Sequence, residues 1–279
     1  MVVAKNQDPT VDTMTAKKVS VVIPTYNQIG LLLKTVECLR GQERINEVIV
    51  IDDGSETGQA DAMDKITLDK PIRVIHNRGG DGFVRACNRG TKKSQEPYVL
   101  LLNSDCFLKG NAIRYMAENL DIDAEIVGAR LLFAKGSRYG MEGTIQHAGI
   151  GFNRFGVPYH PMMNMPGDEP CVMVRRSINA VTGACMMVKR EVWDKIGGLD
   201  NKFGNGVYDD ADFCLSAKKM KYEVVYEPRA IGEHLMHGSQ DPNDKTRNFF
   251  NQKDHDNNLA LLFTKHGQPA CDDHLWYRM

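Results

Sequence analysis

The sequence predicts an α/β fold on a mostly parallel central sheet, and three observations carry that expectation. Short β-branched runs alternate with helix-length amphipathic segments from Val19 to Leu102. The strand-like runs are apolar throughout, as strands covered on both faces are, and each ends abruptly in polar or glycine-rich sequence. Val19-Ser20-Val21-Val22-Ile23 reads as the first strand, stopped by Pro24; Gly30 to Arg40 then carries Leu31, Leu32, Leu33, Val36 and Leu39 at helical spacing. Val48 to Ile51, Ile72 to Ile75 and Tyr98 to Leu102 supply three further strands, separated by helical stretches. From Gly136 to Asn179 the pattern shifts to Gly, Pro, Met and aromatic residues, a long and partly strand-like excursion rather than a second core. Lys189 to Ile196 then reads as a short helix closed by Gly197-Gly198. Asp210 to Lys221 reads as another, Glu223 to Tyr226 as a strand, and Asp244 to His266 as a terminal helix with a late apolar cluster.

Composition bounds the function. The chain has 279 residues, 42% of them hydrophobic and 25% charged, the balance of a packed protein rather than a disordered or membrane one. Thirty-five Lys and Arg against 36 Asp and Glu leave a formal charge of −1, which excludes a field that would coat nucleic acid; a phosphate ligand would be held locally. The stretch before Val19 lacks the apolar core of a secretory signal and no run reaches the roughly 18 apolar residues of a membrane span, so the expectation is a cytoplasmic protein without an integral membrane segment. Seven widely spaced cysteines without a CxxC pair read as reduced residues, not a disulfide frame or zinc site.

In open parallel sheets, ligands sit beyond the carboxyl ends of the strands. Those ends are Pro24-Thr25-Tyr26-Asn27, Asp52-Asp53-Gly54-Ser55, His76 to Gly82, and Asn103-Ser104-Asp105. No G-x-G-x-x-G follows the first strand and no P-loop is present, which argues against a dinucleotide-binding dehydrogenase or a P-loop enzyme. Gly79-Gly80-Asp81-Gly82 is equally well a flexible turn into a helix. Asp105 leaves four consecutive apolar residues and so reaches the rim of the sheet, where a carboxylate can hold Mg²⁺ or Mn²⁺ against a diphosphate. Capping of the next helix by Asn103 or Asp105 is the competing explanation.

The resemblance becomes specific when the segments are read together. Val19 to Asn27, Glu47 to Ser55 and Leu101 to Asp105 resemble the successive signatures of family 2 glycosyltransferases of the GT-A fold. The second half continues the likeness with Val181 to Trp193, Gly197 to Asp200, Tyr208 to Leu215 as the acidic block, and Ala230 to His234 as the closing strand and histidine. Thr144-Ile145-Gln146-His147-Ala148-Gly149 is similar to a segment of the O-antigen and rhamnosyltransferase-like branch. The resemblance implies a Rossmann-like, mostly parallel sheet flanked by helices, with a smaller mixed acceptor-side region. It also implies a division into a tail over 1–18, a catalytic domain over 19–265 and a tail over 266–279. Within the domain, 19–105 would be the nucleotide-sugar half and 106–240 the acceptor half.

The same resemblance implies roles. Pro24, Thr25 and Tyr26 would border the nucleobase, with Asp53 accepting a hydrogen bond from it; packing under the loop would also explain Tyr26. Asp81, Gly82 and Arg85 would approach the nucleotide, although a solvated helix face explains Arg85 as well. Asp105 would be the principal ligand of Mn²⁺ or Mg²⁺, beside Ser104 and Asn103, which replaces the usual first acid of the family's triplet. His234, with His237 as the alternate, would complete the metal site. Asp210 would be the catalytic base, its proton affinity raised by Asp209 and Asp212, with Asp52, Asp53, Asp105, Asp209, Asp210 and Asp212 around one crevice. Tyr139, His147, Phe152, Phe155, Tyr159 and His160 would shape the acceptor side, aromatic loop packing being the alternative.

The implied activity is an inverting, metal-dependent transfer of a sugar from a nucleotide diphosphate sugar to a hydroxyl of a glycan or glycolipid acceptor, with peripheral membrane contact. A sugar-phosphate nucleotidyltransferase is the rival, but it would want a Gly-rich, basic loop where Pro24 to Asn27 stands. A catalytically inactive nucleotide- or glycan-binding protein is the non-enzymatic alternative.

Overall fold

The computed structural model describes residues 16–236 and 252–272. Twelve strands and seven α-helices are assigned within them. They run β1 Val19–Thr25, α1 Ile29–Cys38, β2 Ile45–Asp52, α2 Thr57–Met63, β3 Ile72–His76, α3 Phe83–Lys93, β4 Tyr98–Leu102, β5 Cys106–Lys109, α4 Ala112–Ile122 and β6 Ile126–Phe133. The second half comprises β7 Ile145–His147, β8 Gly151–Phe152, β9 Pro158–Tyr159, β10 Arg176–Ser177, β11 Cys185–Lys189, α5 Arg190–Ile196, α6 Asp209–Lys219, β12 Val224–His234 and α7 Gln252–His266. No described helix is long and apolar enough to cross a membrane.

The main sheet has the order β10-β12-β6-β11-β4-β1-β2-β3, with β5 added to β12 and β7 to β6. β3, β2, β1 and β4 are parallel, β11 runs against both β4 and β6, and β12 is parallel to β6. Six long strands therefore point one way, as expected of a mostly parallel sheet. One core lies under α1 and α4, between Val21, Ile23, Leu32, Val36, Leu100, Leu102, Met116 and Met187. The other packs α3, α5, α6 and α7 on the opposite face through Val22, Val84, Trp193, Phe213 and Leu262.

The structure changes two expectations. Pro24 does not stop β1, which runs on to Thr25. The Thr25 carbonyl accepts from Asp53 N–H on the β2 side, so the Pro24 nitrogen faces β4, where pairing has already ended at Val22 opposite Leu101; a missing donor costs nothing there. The predicted strand over Glu223–Tyr226 is the start of the much longer β12, whose register with β6 shifts between Glu227 and Ile231. The expected terminal helix is present over Gln252–His266; residues 244–251 lie outside the described residues, as do 1–15 and 273–279 of the two expected tails.

Gly90 shows how tightly α3 lies on the sheet, since a Cβ there would sit 2.3 Å from Val22 Cγ1 and 3.1 Å from Ile51 Cγ1. Overpacking costs ~1–3 kcal/mol and outweighs the ~1 kcal/mol of helix propensity that alanine adds. Gly90→Ala is expected to lower the melting temperature by ~2–4 °C in a thermal melt; a melting point at or above wild type contradicts this packing.

Candidate active site

The carboxyl ends of β4, β6 and β12 meet at one cavity of about 380 Å³. Because β11 is antiparallel, it brings its start to this edge, so Thr182, Gly183 and Ala184 form the floor between them. Asn103 hydrogen-bonds to this floor through its backbone N–H and the Ala184 carbonyl, 2.9 Å.

Asp105 and His234 form the inner wall. After Asp105 the chain turns back as β5, which pairs antiparallel with β12 so that Cys106 lies opposite His234. His234 Nε2 lies 3.1 Å from Asp105 Oδ1 and 3.4 Å from Asn103 Nδ2, and its Nδ1 is 3.2 Å from Gln146 Oε1. Both Asp105 and His234 are buried. Donation from Nδ1–H to Gln146 directs the Nε2 lone pair at the carboxylate, an arrangement satisfied by a cation between the two atoms. The Asn103 Oδ1 atom beside them is buried with no partner among the described residues. These atoms suit a hard divalent ion: ligands at ~2.1 Å in adjacent octahedral positions lie about 3 Å apart. No group of three or more His, Cys, Asp or Glu side chains able to hold a metal is found among the described residues; Asp105 and His234 are the two such donors that the described residues bring together here, and phosphate oxygens and water would supply the rest. His237 lies outside the described residues.

Asp210 lines the same cavity from the first turn of α6. Its Oδ2 accepts from Gly183 N–H at 3.0 Å and its Oδ1 from Ala211 N–H at 2.8 Å. The cavity is completed by Phe83 from the start of α3, Tyr159 and His160 from the excursion, and the loop Asn205 to Tyr208. Asp209 is buried beside Asp210 with Oδ2 unpartnered, while its own and Asp210's backbone N–H donate to the carboxylate. Burial, and then the Asp210 charge, push the Asp209 carboxyl well above the usual carboxylate range. His147, behind the wall, and His160, within it, are held neutral chiefly by burial; their Nδ1 atoms are 3.1 Å apart, one donating to the other.

The acids do not all gather in this crevice. Asp52 is taken by His76 Nδ1, 2.6 Å, and Ser55 N–H, 2.9 Å. Asp212 points to the other side of α6, where Lys265 and His266 each approach it at 2.7 Å. Asp105, Asp209 and Asp210 are the acids of the cavity wall. Asp212, thus neutralised, is not aimed at Asp210, which corrects the expected role for it.

Pro24, Thr25, Tyr26, Asp53, Asp81, Gly82, Arg85 and Ser104 are not in this wall. Most lie around the adjoining ends of β1 and β2. Asp53 braces the glycine loop, accepting from Asn77 Nδ2, Asp81 N–H and Gly82 N–H at 3.1, 2.8 and 3.0 Å. Gly82, at φ +88°, starts α3, and a Cβ there would lie 2.5 Å from Asn205 Oδ1. Arg85 is exposed on α3, Tyr26 is half-buried, and Ser104 is buried with its carbonyl accepting from Thr35 Oγ1. Of the excursion, Phe152 is core and Tyr139 and Phe155 are exposed. Sequence reasoning gave no role to Gln146, Phe83, Gly183 or His255, which complete the wall; Gln146 and Gly183 stood in recognised segments, whereas a lone histidine in the polar α7 gave no signal.

A parallel sheet with an antiparallel insertion, carrying a carboxylate–imidazole pair at its edge, defines the GT-A class of fold. Solved structures agree: GalNAc-T7 with UDP, GalNAc and Mn²⁺ superposes with a TM-score of 0.68 at 14% identity, over 89% of this chain and 48% of that one. The mannosyltransferase PcManGT of Pyrobaculum calidifontis, in complex with GDP-Man and Mn²⁺, gives 0.57 at 16% identity, over 91% and 65%. The glycosyl transferase family 2 model matches residues 20–197, and the chain belongs to that family. Its relatives include the uncharacterized protein y4gI of Sinorhizobium fredii, 29% identical over 85% of this chain and 27% of that protein. The O-antigen biosynthesis protein RfbC of Myxococcus xanthus is 26% identical over 67% and 15%. The poly-beta-1,6-N-acetyl-D-glucosamine synthase of Staphylococcus aureus strain MSSA476 is 25% identical over 81% and 52%. The chain thus spans about half or less of the length of these three relatives.

The Asp209 shift has a measurable consequence. Its folded pKa is raised above the unfolded value near 3.8, so the stability it contributes is full below that value and is lost as pH rises toward the folded pKa. Melting curves from pH 4 to 8 are expected to show Asp209→Asn gaining on wild type with rising pH. A constant offset between the two would refute the assignment.

Proposed function

We propose that this chain is an inverting, metal-dependent glycosyltransferase that moves a sugar from a nucleotide diphosphate sugar to a hydroxyl of a glycan or glycolipid. The observation that carries the reading is that Asp105, His234 and Asn103, from the ends of β4 and β12, and Asp210, from the start of α6, line a single cavity. In-line displacement needs both sets of groups in one site, because the leaving diphosphate and the attacking hydroxyl act on opposite faces of the same anomeric carbon. The Mn²⁺ in two fold neighbours and the family membership support the same reading.

Asp105 and His234 would hold Mn²⁺ or Mg²⁺, with Asn103 orienting a ligated water or the ribose. The ion supplies charge neutralisation for the departing diphosphate. Asp210, held by the Gly183 and Ala211 N–H groups, takes the acceptor proton as the acceptor oxygen bonds to the anomeric carbon. The carbon–phosphate oxygen bond breaks in the same displacement, and its electron pair leaves with the nucleoside diphosphate. Protonated Asp209 adds no second charge against that transfer, and the neutral His160 presents no cation that would compete for the Asp210 carboxylate. Pro24, Thr25, Tyr26, Asp53, Asp81, Gly82 and Arg85 would receive the nucleotide at the adjoining β1 and β2 ends, with Ser104 backing the metal turn.

Thermal shift with UDP-, GDP-, CMP- and dTDP-sugars, with and without Mn²⁺, tests the donor half, because a ligand bound only by the folded state raises the melting point. A shift that requires Mn²⁺ is expected for one nucleotide, and the absence of any shift would sink the reading. Asp105→Ala is expected to abolish that shift. Asp210→Asn should keep it while losing ~10²–10⁴-fold in turnover, followed as release of nucleoside diphosphate; undiminished turnover would remove Asp210 as the base.

A further inference from the structure

The loop that presents Asp210 is held by a residue far along the chain. Asn258, in α7, is buried, and its Nδ2 lies 3.2, 2.8 and 3.2 Å from the carbonyl oxygens of Phe203, Gly206 and Val207. These carbonyls belong to the turn that leads directly into Asp209 and Asp210. Val207 and Tyr208 both sit in the left-handed region, at φ +69° and +70°. A β-branched and an aromatic residue are strained there and persist only where the surroundings over-determine the backbone.

The turn has other holds as well: the Gly206 N–H donates to the Phe203 carbonyl at 3.2 Å, and Lys265 Nζ lies 5.7 Å from the centre of the Phe203 ring. Tyr208 Oη is 2.6 Å from His255 Nε2, one turn before Asn258 on the same helix, and the Val84 N–H makes a long 3.4 Å contact to the Gly204 carbonyl. α7 is itself fixed at its far end, where Lys265 reaches Asp200 and Asp212 and His266 reaches Asp212. The helix is thus pinned at one end and grips the strained turn near its middle, outside the stretch matched by the family model.

We propose that Asn258 is a positioning residue for Asp210: it holds the 203–208 turn in the strained form that keeps the Asp210 carboxylate on the Gly183 N–H and facing the cavity. The role rests on Asp210 being the base, and misplacing a reacting group by about 1 Å costs ~10²-fold.

The test uses the full chain and whichever of UDP-N-acetylglucosamine, GDP-mannose and dTDP-rhamnose the wild type hydrolyses fastest with Mn²⁺. Asn258→Ala is expected to lower kcat by ~10–100-fold with KM for that donor within about twofold. Leu120→Ala, which opens the core under α4 on the other face of the sheet, should lower the melting point while leaving kcat unchanged. In an Asp210→Asn background, Asn258→Ala should add no further loss, because two residues acting through one group are not additive. Additive losses, or an unchanged kcat, would overturn the proposal.

Hydrogen–deuterium exchange reads the same claim without substrate: exchange over 203–211 should rise in Asn258→Ala and not in Leu120→Ala, and retained protection in Asn258→Ala would also overturn it. Adding Val207→Gly, which relieves the strain, should restore folding, protection and most of the turnover to Asn258→Ala; no recovery counts against the proposal. If wild type hydrolyses none of the three donors, the enzymatic reading loses its support while exchange still decides whether Asn258 holds the turn.

Discussion

The candidate site depends on one antiparallel clasp, the four residue pairs between β5 and β12. A strand leaving a parallel sheet normally runs on into a helix, and an acid at its end then points into solvent or caps that helix. Here the chain reverses within Asn103-Ser104-Asp105 and is caught by the end of β12, which places Cys106 opposite His234 and brings the preceding carboxylate 3.1 Å from the imidazole. The clasp requires a close fit, since a Cβ on Gly232 would meet Leu131 at 3.0 Å and Leu108 at 3.3 Å. Gln146 then fixes the imidazole from behind, and the neighbouring start of β11 supplies the Gly183 N–H for Asp210. Both walls of the cavity therefore derive from the same arrangement of strands.

Charge is managed by separation rather than by a general excess of cations. The chain is nearly neutral, yet three acids line one cavity. Asp209 answers this by burial, which favours its protonated form, and Asp105 by its imidazole neighbour. Asp52 and Asp212 are removed from the problem by histidine and lysine partners on other faces of their elements. What remains suits a divalent cation, which would also remove the repulsion that these acids would otherwise exert on a phosphate.

Much of this was legible in the sequence where function and local pattern coincide. Apolar runs ending in acids marked the carboxyl edge of β2 and β4, and the acidic start of α6 marked Asp210. Direction was not legible: β11 is as apolar as its parallel neighbours, and full burial erases the alternation that would set it apart. Nor could the pattern show that Asp212, two residues beyond Asp210, faces away, since the partners that claim it lie 53 and 54 residues later. Asp53 was legible as important, but the three donors it gathers from residues 77 to 82 arise only when β2 and β3 pair. Single residues in polar surroundings, such as His255 and Asn258, carry no periodic or motif signal at all.

The turn before α6 joins these strands of argument. It touches the start of α3, where Gly82 must lack a side chain to clear Asn205, and it ends at Asp210, the proposed base. A turn strained at two consecutive residues does not hold itself, and the family-matched stretch ends before it begins. Its support comes from α7, which gives three carbonyls a single amide and is anchored by an ion-paired end. If Asp210 is the base, the C-terminal helix is part of the machinery rather than an appendage on its surface, adding a hold on the turn to the one that the Gly183 N–H places on the Asp210 carboxylate.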